Sequence, residues 1–536
     1  MKKKIALFYF LLSSFYFGYS QNNICIGISS PNASAKVDIS SNNSGLLIPR
    51  MTTSGVSSIS NPAKGLMVYD SASNQLMVNM GTSSSPNWQT IVFKSGWSLG
   101  GNSNINPANQ FIGTTDNQPV RFRINNAKGG EIDPVTLSAF WGRGAGQNNV
   151  SGRSNVAIGV DALRSNQYSH NIVAVGDSAL YNSSGFGNTA FGSKTLYSNS
   201  SGSANVGIGY QVLNNGNGSY NTAAGYHAMF TGGGNWNVGI GSEALYTNGS
   251  GASNVAVGLN SLYANTNGND NIGIGSSALR LNTGGDENVA IGSAALYSNS
   301  QANYNTAVGR SALAGTTNSL YNTALGYNAG YVYDMGYNNT ILGANCIGAF
   351  NGQFNIVAIG QGVTCPDNST VRIGNSASWS IGGYASWTNF SDGRYKRNVK
   401  EDVKGLDFIL KLRPVTYHLD LTSASKKAKE NAGQEWDAKM KQAIAEKENV
   451  VFTGFVAQEV EQAAKETGFD FSGVDKPRNE YGFYGLRYSE FVVPLVKAVQ
   501  EQQTMINDMN KRIQLLEEQN KLLLQSLRGK EVKSGN

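Results

Sequence analysis

The 536 residues carry 41 Lys/Arg against 35 Asp/Glu, a formal net charge of +6, with 64 glycines and three cysteines. The charge is unevenly placed: 24 of the basic and 22 of the acidic residues lie from Ser391 onward, and no basic stripe forms on either side, which argues against nucleic acid as a partner. Three cysteines exclude a disulfide framework, although Cys346 and Cys365, about one repeat apart, could form one pair or stay as free thiols.

The first 20 residues read as a signal peptide. Lys2, Lys3 and Lys4 form a basic start, Ile5 to Phe17 an apolar run, and Gly18 and Ser20 supply small residues before Gln21. A secreted or cell-surface protein is expected. The apolar run is too short to span a bilayer, and no transmembrane segment is expected later. Residues 21–95 alternate short β-prone runs, such as Gly45 to Met51 and Lys64 to Asp70, with Ser/Asn/Pro turns, predicting a β-rich collar. Residues 96–150 predict irregular β structure leading into a rod.

From 151 to 375 the chain repeats. Thirteen glycines, Gly159 through Gly360, recur at spacings of 16 or 17, and an asparagine stands four residues before most of them, from Asn155 to Asn339. Between asparagine and glycine lies a run such as Val-Ala-Ile. Many units continue with a small residue and then an apolar one, as in Ala162-Leu163 and Ala295-Leu296. A unit this short suits one coil of a β-solenoid. The alternation predicts a strand burying its two flanking apolar side chains, with the small residue on the other face. Stacked asparagines would hydrogen-bond along the axis. At roughly 4.8 Å per coil the rod would be about 60 Å long. Tyr181, Tyr197, Tyr246, Tyr263 and Tyr297 follow the apolar position and read as packing residues rather than a ligand platform. Residues 376–390 form a linker.

After Ser391 every pattern changes. Leu406, Ile409, Leu410 and Leu412 predict a short helix stopped by Pro414. Val415 to Leu419 and Val451 to Val456 predict strands, and Ala457 opens another helix. Residues 391–490 thus read as an α+β module. The terminal helix, 491–528, carries Val499, Gln502, Ile506, Met509, Ile513, Leu516, Asn520 and Leu523 in alternating steps of three and four, the seam of a coiled coil. The Lys/Ala/Glu-rich stretch from Thr422 to Asn449 reads as an insertion.

Three resemblances attach to these residues. The Asn-Val-Ala-Ile-Gly-x-x-Ala-Leu unit resembles the head repeats of trimeric autotransporter adhesins of the YadA type, which implies a left-handed parallel β-roll in a homotrimer; the longer period here implies wider turns. The collar resembles leading segments of phage tail-fibre-like and secreted surface proteins. Ser391-Asp392-x-Arg394-x-Lys396, Leu412-Arg413-Pro414-Val415-x-Tyr417, Gly454 to Val460 and Tyr488 with the terminal coil resemble the endosialidase-type intramolecular chaperone domain. That resemblance implies a trimer-forming module that assembles the upstream body and releases itself. Ser391 would be the nucleophile, Lys396 its base if burial lowers the lysine's pKa, and Phe390-Ser391 the cleavage site. Asp392 and Arg394 would position the loop. The activity would be that of a single-turnover serine autopeptidase with no external substrate.

His170, His227 and His418 are far apart and form no metal cluster or triad, no phosphate loop is present, and no cofactor is expected. The fold expected is mainly β, a trimeric solenoid with a C-terminal α+β chaperone domain and terminal coiled coil. The function expected is a homotrimeric adhesin or tail-fibre-like surface protein that cuts itself, with a host-surface glycan or protein as ligand. Two rivals are an adhesive protein whose terminal domain only trimerises, and a glycan-degrading tail spike. The second needs paired carboxylates in a groove, and only 13 Asp/Glu are scattered before Ser391.

Overall fold

The computed structural model describes residues 23–91, 106, 108, 111–331 and 334–531. The leader expected at 1–20 lies outside the described residues. Two compact units divide the chain, one ending at Ile112 and one starting at Gly113.

In the first unit, strands Ile24–Ile26 and Val37–Ile39 pair in parallel. Four more, Arg50–Met51, Met67–Asp70, Gln75–Asn79 and Trp88–Thr90, form a sheet beside the short helix Thr53–Ser57. Val56 and Val68 supply its buried apolar centre. Two buried polar groups are fully used. Asp70 accepts from Thr53 Oγ1 at 2.7 Å and from the Ala72 N–H at 2.9 Å, which hold its carboxyl below the usual range and close the hairpin. Asn79 donates to Pro62 O and accepts from the Gly81 and Asn87 N–H groups.

The second unit opens with an antiparallel meander, Val120–Ile124, Ala127–Asp133 and Ser138–Trp141. Ser138–Trp141 then pairs in parallel with Val156–Ile158, the start of a β-solenoid. Thirteen three-residue strands, from Val156–Ile158 to Val357–Ile359, each end immediately before one of the thirteen glycines, and each pairs in parallel with the strand one coil on. The last rung is Val371–Ile373.

The glycine is demanded by the stacking. Gly275 has φ +129°, and a Cβ there would lie 2.6 Å from the carbonyl carbon of Gly292 in the next coil. Non-glycine residues also adopt left-handed backbone at the coil corners, including the leucine four positions after the glycine, as in Leu279 at φ +52°. That conformation costs about 1–2 kcal/mol. Complete burial of the leucine side chain returns about 1.5–3 kcal/mol, so burial wins.

The strand's buried face is the reverse of the one expected. The small central residue points into the coil: Ala157, Ala174, Ala190, Ala256 and Ala290 are fully buried. The flanking Ile158, Phe191, Ile208, Ile240 and Leu325 are exposed instead, between 43% and 52%. The reason is volume. The paired small and apolar residues after each glycine, such as Ala162-Leu163, already fill the interior, so only a methyl or a hydrogen fits opposite. At one strand centre even a methyl is too large: a Cβ on Gly207 would come within 2.6 Å of Thr195 Cγ2.

The asparagine ladder forms as expected. From Asn205 to Asn339 each backbone N–H donates to the preceding asparagine's Oδ1 at 2.9–3.1 Å. Each side-chain amide also reaches a turn carbonyl, as Asn271 Nδ2 reaches Gly285 O at 2.7 Å. A second ladder, seven residues after the glycine, joins Asn248, Asn265, Asn282 and Asn299 through Nδ2-to-Oδ1 bonds of 2.7–2.9 Å. It stops at Thr316, which leaves Asn299 Oδ1 with no protein partner. Tyrosines stack between coils of the same chain, with Tyr181 and Tyr197 rings 5.2 Å apart and Tyr246 and Tyr263 5.1 Å apart. Cys346 and Cys365 are buried free thiols, and burial pushes Cys346 up to about 12, which leaves it unreactive.

The C-terminal module has its own core. Phe408, Val460, Ala463, Ala464 and Phe491 are buried together, with Phe455, Phe469 and Phe471 packed around them. Strand Val415–Tyr417 pairs antiparallel with Phe452–Gly454, helices Leu406–Ile409 and Ala457–Glu466 precede and follow the pair in sequence, and the last described element is the 40-residue helix Val492–Glu531. Within the first helix Phe408, not Leu410, faces the core; Leu410 is 73% exposed. Among the described residues no helix is long and apolar enough to cross a membrane.

Candidate self-cleavage site

From 378 to 392 the chain forms no helix or strand, and Phe390 is 78% exposed. Order returns through the charge pattern of the next residues. Asp392 caps the single 3-10 turn Gly393–Tyr395: its Oδ1 accepts the Arg394 N–H at 2.9 Å, and its carboxylate receives the Arg394 guanidinium at Nε (3.0 Å) and Nη2 (2.6 Å). The Arg394 side chain holds the Asp392 carboxyl below the usual carboxylate range, and the guanidinium is correspondingly raised. The turn carries the chain back on itself, so that Lys396 Nζ donates to Ser391 Oγ at 2.8 Å. On the other side the Phe390 and Tyr395 rings meet with centroids 5.6 Å apart.

All five residues singled out from the sequence therefore occupy one loop. Ser391 and Lys396 are in contact, Asp392 and Arg394 form the clamp that shapes the turn, and Phe390 precedes it. One expected feature is missing from the single chain. Ser391 and Lys396 are both exposed, so nothing in this protomer supplies the desolvation that a lysine base requires.

The module behind the loop draws distant motifs together. Arg413, beside Pro414, reaches Glu459 on the helix Ala457–Glu466, with Nε 3.1 Å from Oε2. The Phe455 N–H donates to Tyr488 Oη at 3.1 Å. The N–H of Leu406 donates to Glu501 Oε2 on the terminal helix at 2.7 Å, tying the start of the module to the long helix. Residues 391–469 match the family described as chaperone of endosialidase. The match to this endosialidase-chaperone family begins at Ser391 itself, and it covers the turn, both strands of the antiparallel pair and the Glu459 helix. Residues 25–105 match a second family, described as phage tail like trimerisation region. No curated protein matches the chain.

The three histidines are each used locally. His170 Nδ1 accepts from the Arg153 N–H, His227 Nε2 meets Gln211 Oε1, and His418 Nδ1 meets Glu448 O. Among the described residues no group of three or more His, Cys, Asp or Glu is placed to hold a metal ion. Sequence reading missed the work of the 422–449 stretch. Its Trp436 and Ile444, with Leu421 just before it, form a buried cluster with Ala377 of the solenoid side against them. The signal was available in Trp436, a large apolar residue in an otherwise polar run.

Proposed function

We propose that the chain is an exported homotrimeric fibre protein of adhesin or tail-fibre type, whose C-terminal region drives trimer assembly and then cuts the Phe390-Ser391 bond. The observation that carries the proposal is the 2.8 Å contact between Lys396 Nζ and Ser391 Oγ at the first residue of the endosialidase-chaperone match. Trimer formation is supported at three places. The N-terminal match is to a trimerisation region. The solenoid carries an outward ridge of Ile158, Phe191, Ile208, Ile240, Ile274 and Ile291, each 38–50% exposed, an apolar face of the kind that partner chains cover. The terminal helix leaves Val499, Ile506, Met509, Ile513, Leu516 and Leu523 exposed by 45–61%, the seam of a three-stranded coil with Asn520 setting register.

In the cleavage step a neutral Lys396 amine takes the Ser391 hydroxyl proton while Oγ attacks the Phe390 carbonyl carbon. The C–N bond breaks, the Ser391 nitrogen takes the proton, and an ester joins the Phe390 acyl group to Oγ. Water then hydrolyses the ester, leaving a Phe390 carboxylate and a free Ser391 amino group with its hydroxyl restored. In the single chain both side chains are exposed. Burial by neighbouring protomers would supply the missing desolvation, and would tie the cut to completed assembly. The exposed dyad also favours a second reading, a trimerisation domain that does not cut. A denaturing gel with intact masses separates them. Self-cleavage predicts a fragment ending at Phe390 in the wild type and a full-length Ser391→Ala chain; a wild type that stays whole refutes it.

A further inference from the structure

The stretch from Leu421 to Glu448 lies beyond the Phe390-Ser391 bond in sequence, yet it is built onto the last coils of the solenoid, on the other side of that bond. The contact extends the solenoid's own geometry. In successive coils the residue two positions after the glycine has left-handed backbone: Asn328 at φ +55°, Asn345 at +53° and Gly362 at +64°. Asn431 is the next member of this stack, with φ +54°, though it lies 69 residues beyond Gly362 rather than one coil on.

The hydrogen bonds follow the stack, with a one-residue shift at the last step, where Asn431 bonds to the carbonyl of Gly362 itself rather than to that of Gln361. The Asn345 N–H donates to Tyr327 O, the Gly362 N–H to Ala344 O, and the Asn431 N–H to Gly362 O, each at 2.8 Å. The side chains continue the line: Asn328 Nδ2 donates to Asn345 Oδ1, and Asn345 Nδ2 to Asn431 Oδ1 at 2.8 Å. Around this counterfeit rung, Thr364 Oγ1 donates to Lys429 O, and Ser376 donates through both N–H and Oγ to the buried Glu430 carboxylate. Gly362 is required twice over, because a Cβ there would sit 2.2 Å from Trp436 Cη2. A second segment adds Asn479 Nδ2 on Pro366 O and Asp367 Oδ1, at 2.9 and 2.6 Å.

An exposed solenoid end presents unpaired backbone groups and an open core, which recruit other edges unless a cap covers them. Here the cap belongs to the piece that the cut would detach. We propose that residues 421–448 are an end cap that binds the finished rod non-covalently, so that scission at Phe390-Ser391 severs the chain without uncapping the solenoid. The C-terminal fragment is then a retained subunit whose departure is a separate, later step. The partner surface is the rod's own last coils, read through Gly362, Thr364 and Ser376.

This rests on the cleavage reading for its timing, but the binding can be tested without it. In a Ser391→Ala chain, a site for an added sequence-specific protease is inserted after Gly383, where the backbone has open space around it. After the cut, the two pieces are run on a sizing column in native buffer and on a denaturing gel. Retention predicts co-elution on the column and two bands on the gel. The paired change Asn431→Ala with Trp436→Ala should speed separation at least tenfold, and so should Gly362→Val on the rod side. Circular dichroism and sedimentation of the uncut chains identify any variant that misfolds, and the Gly362→Val and cap variants check each other from opposite faces. Pieces that part on the column without any substitution overturn the cap, as does retention unchanged in both correctly folded variants. A wild type that never cuts itself removes only the self-cleavage reading.

Discussion

The solenoid and the C-terminal module solve the same problem in opposite ways. The solenoid closes a core from a single chain by repetition: most coils bury a leucine and an alanine, and the asparagine ladders satisfy their corners. The module closes its core through contacts between residues far apart, as Phe408 with Phe469 and Phe471 and Phe455 with Phe491. Both nevertheless leave apolar surface outside, the solenoid on the flanks of many strands and the module along its terminal helix. The lesson is that intrachain completeness and assembly are separate tasks here. The interior of each coil needs no partner, whereas the outer ridge and the helical seam are the surfaces that the proposed trimer would cover.

The comparison breaks most visibly at the seam. Ile506→Asp together with Ile513→Asp places charges where three helices would meet, and complete loss of trimer by sedimentation is expected, since an uncompensated buried charge outweighs the remaining packing. An unchanged trimer would move the assembly determinant into the rod. Next in size is the inside-against-outside test within one coil. Leu279→Ala, at a fully buried position, should lower stability by about 2–5 kcal/mol in thermal unfolding. Ile274→Ala, 38% exposed in the same coil, should leave the coil's own fold intact and weaken only association. Equal effects would mean the ridge is not an interface.

A ladder substitution is expected to be milder. Asn271→Ala removes the acceptor of the Asn288 N–H and the donor to Gly285 O, both buried, costing about 1–3 kcal/mol. The smallest effect belongs to the module. The side chains of Lys465 and Lys476 hold Glu461 down to about 2, against an ordinary value of 4.5. A depressed carboxylate contributes stability above its unfolded value, and loses it as the pH falls through the folded one. The module's unfolding midpoint should therefore drop between pH 4.5 and 2, and Glu461→Gln should flatten that slope.

Much of this was legible in the residues themselves. The glycine spacing placed all thirteen strands, and the asparagine four residues earlier placed the axial ladder. What the pattern could not say was which face of the strand looks inward. Alternation has a period but no sign, and the sign is set by the Ala-Leu pairs that already fill the coil. The second ladder carried a readable signal, asparagines seven residues after Gly241, Gly258, Gly275 and Gly292, that is easily lost among many asparagines. The loop at Ser391 was legible as a set of residues. Its exposure was not, because burial of Lys396 depends on what packs over it. The cap was illegible for a related reason: Asn431 joins a stack whose nearest side-chain partner, Asn345, is 86 residues away.

On the proposed reading the C-terminal region must bring three chains together before the ridged solenoid can persist. Expression of the gene truncated after Phe390, with sedimentation and circular dichroism of the soluble fraction, tests it most directly. The account predicts aggregated or unfolded material and little soluble rod. A soluble, fully folded monomer would contradict it.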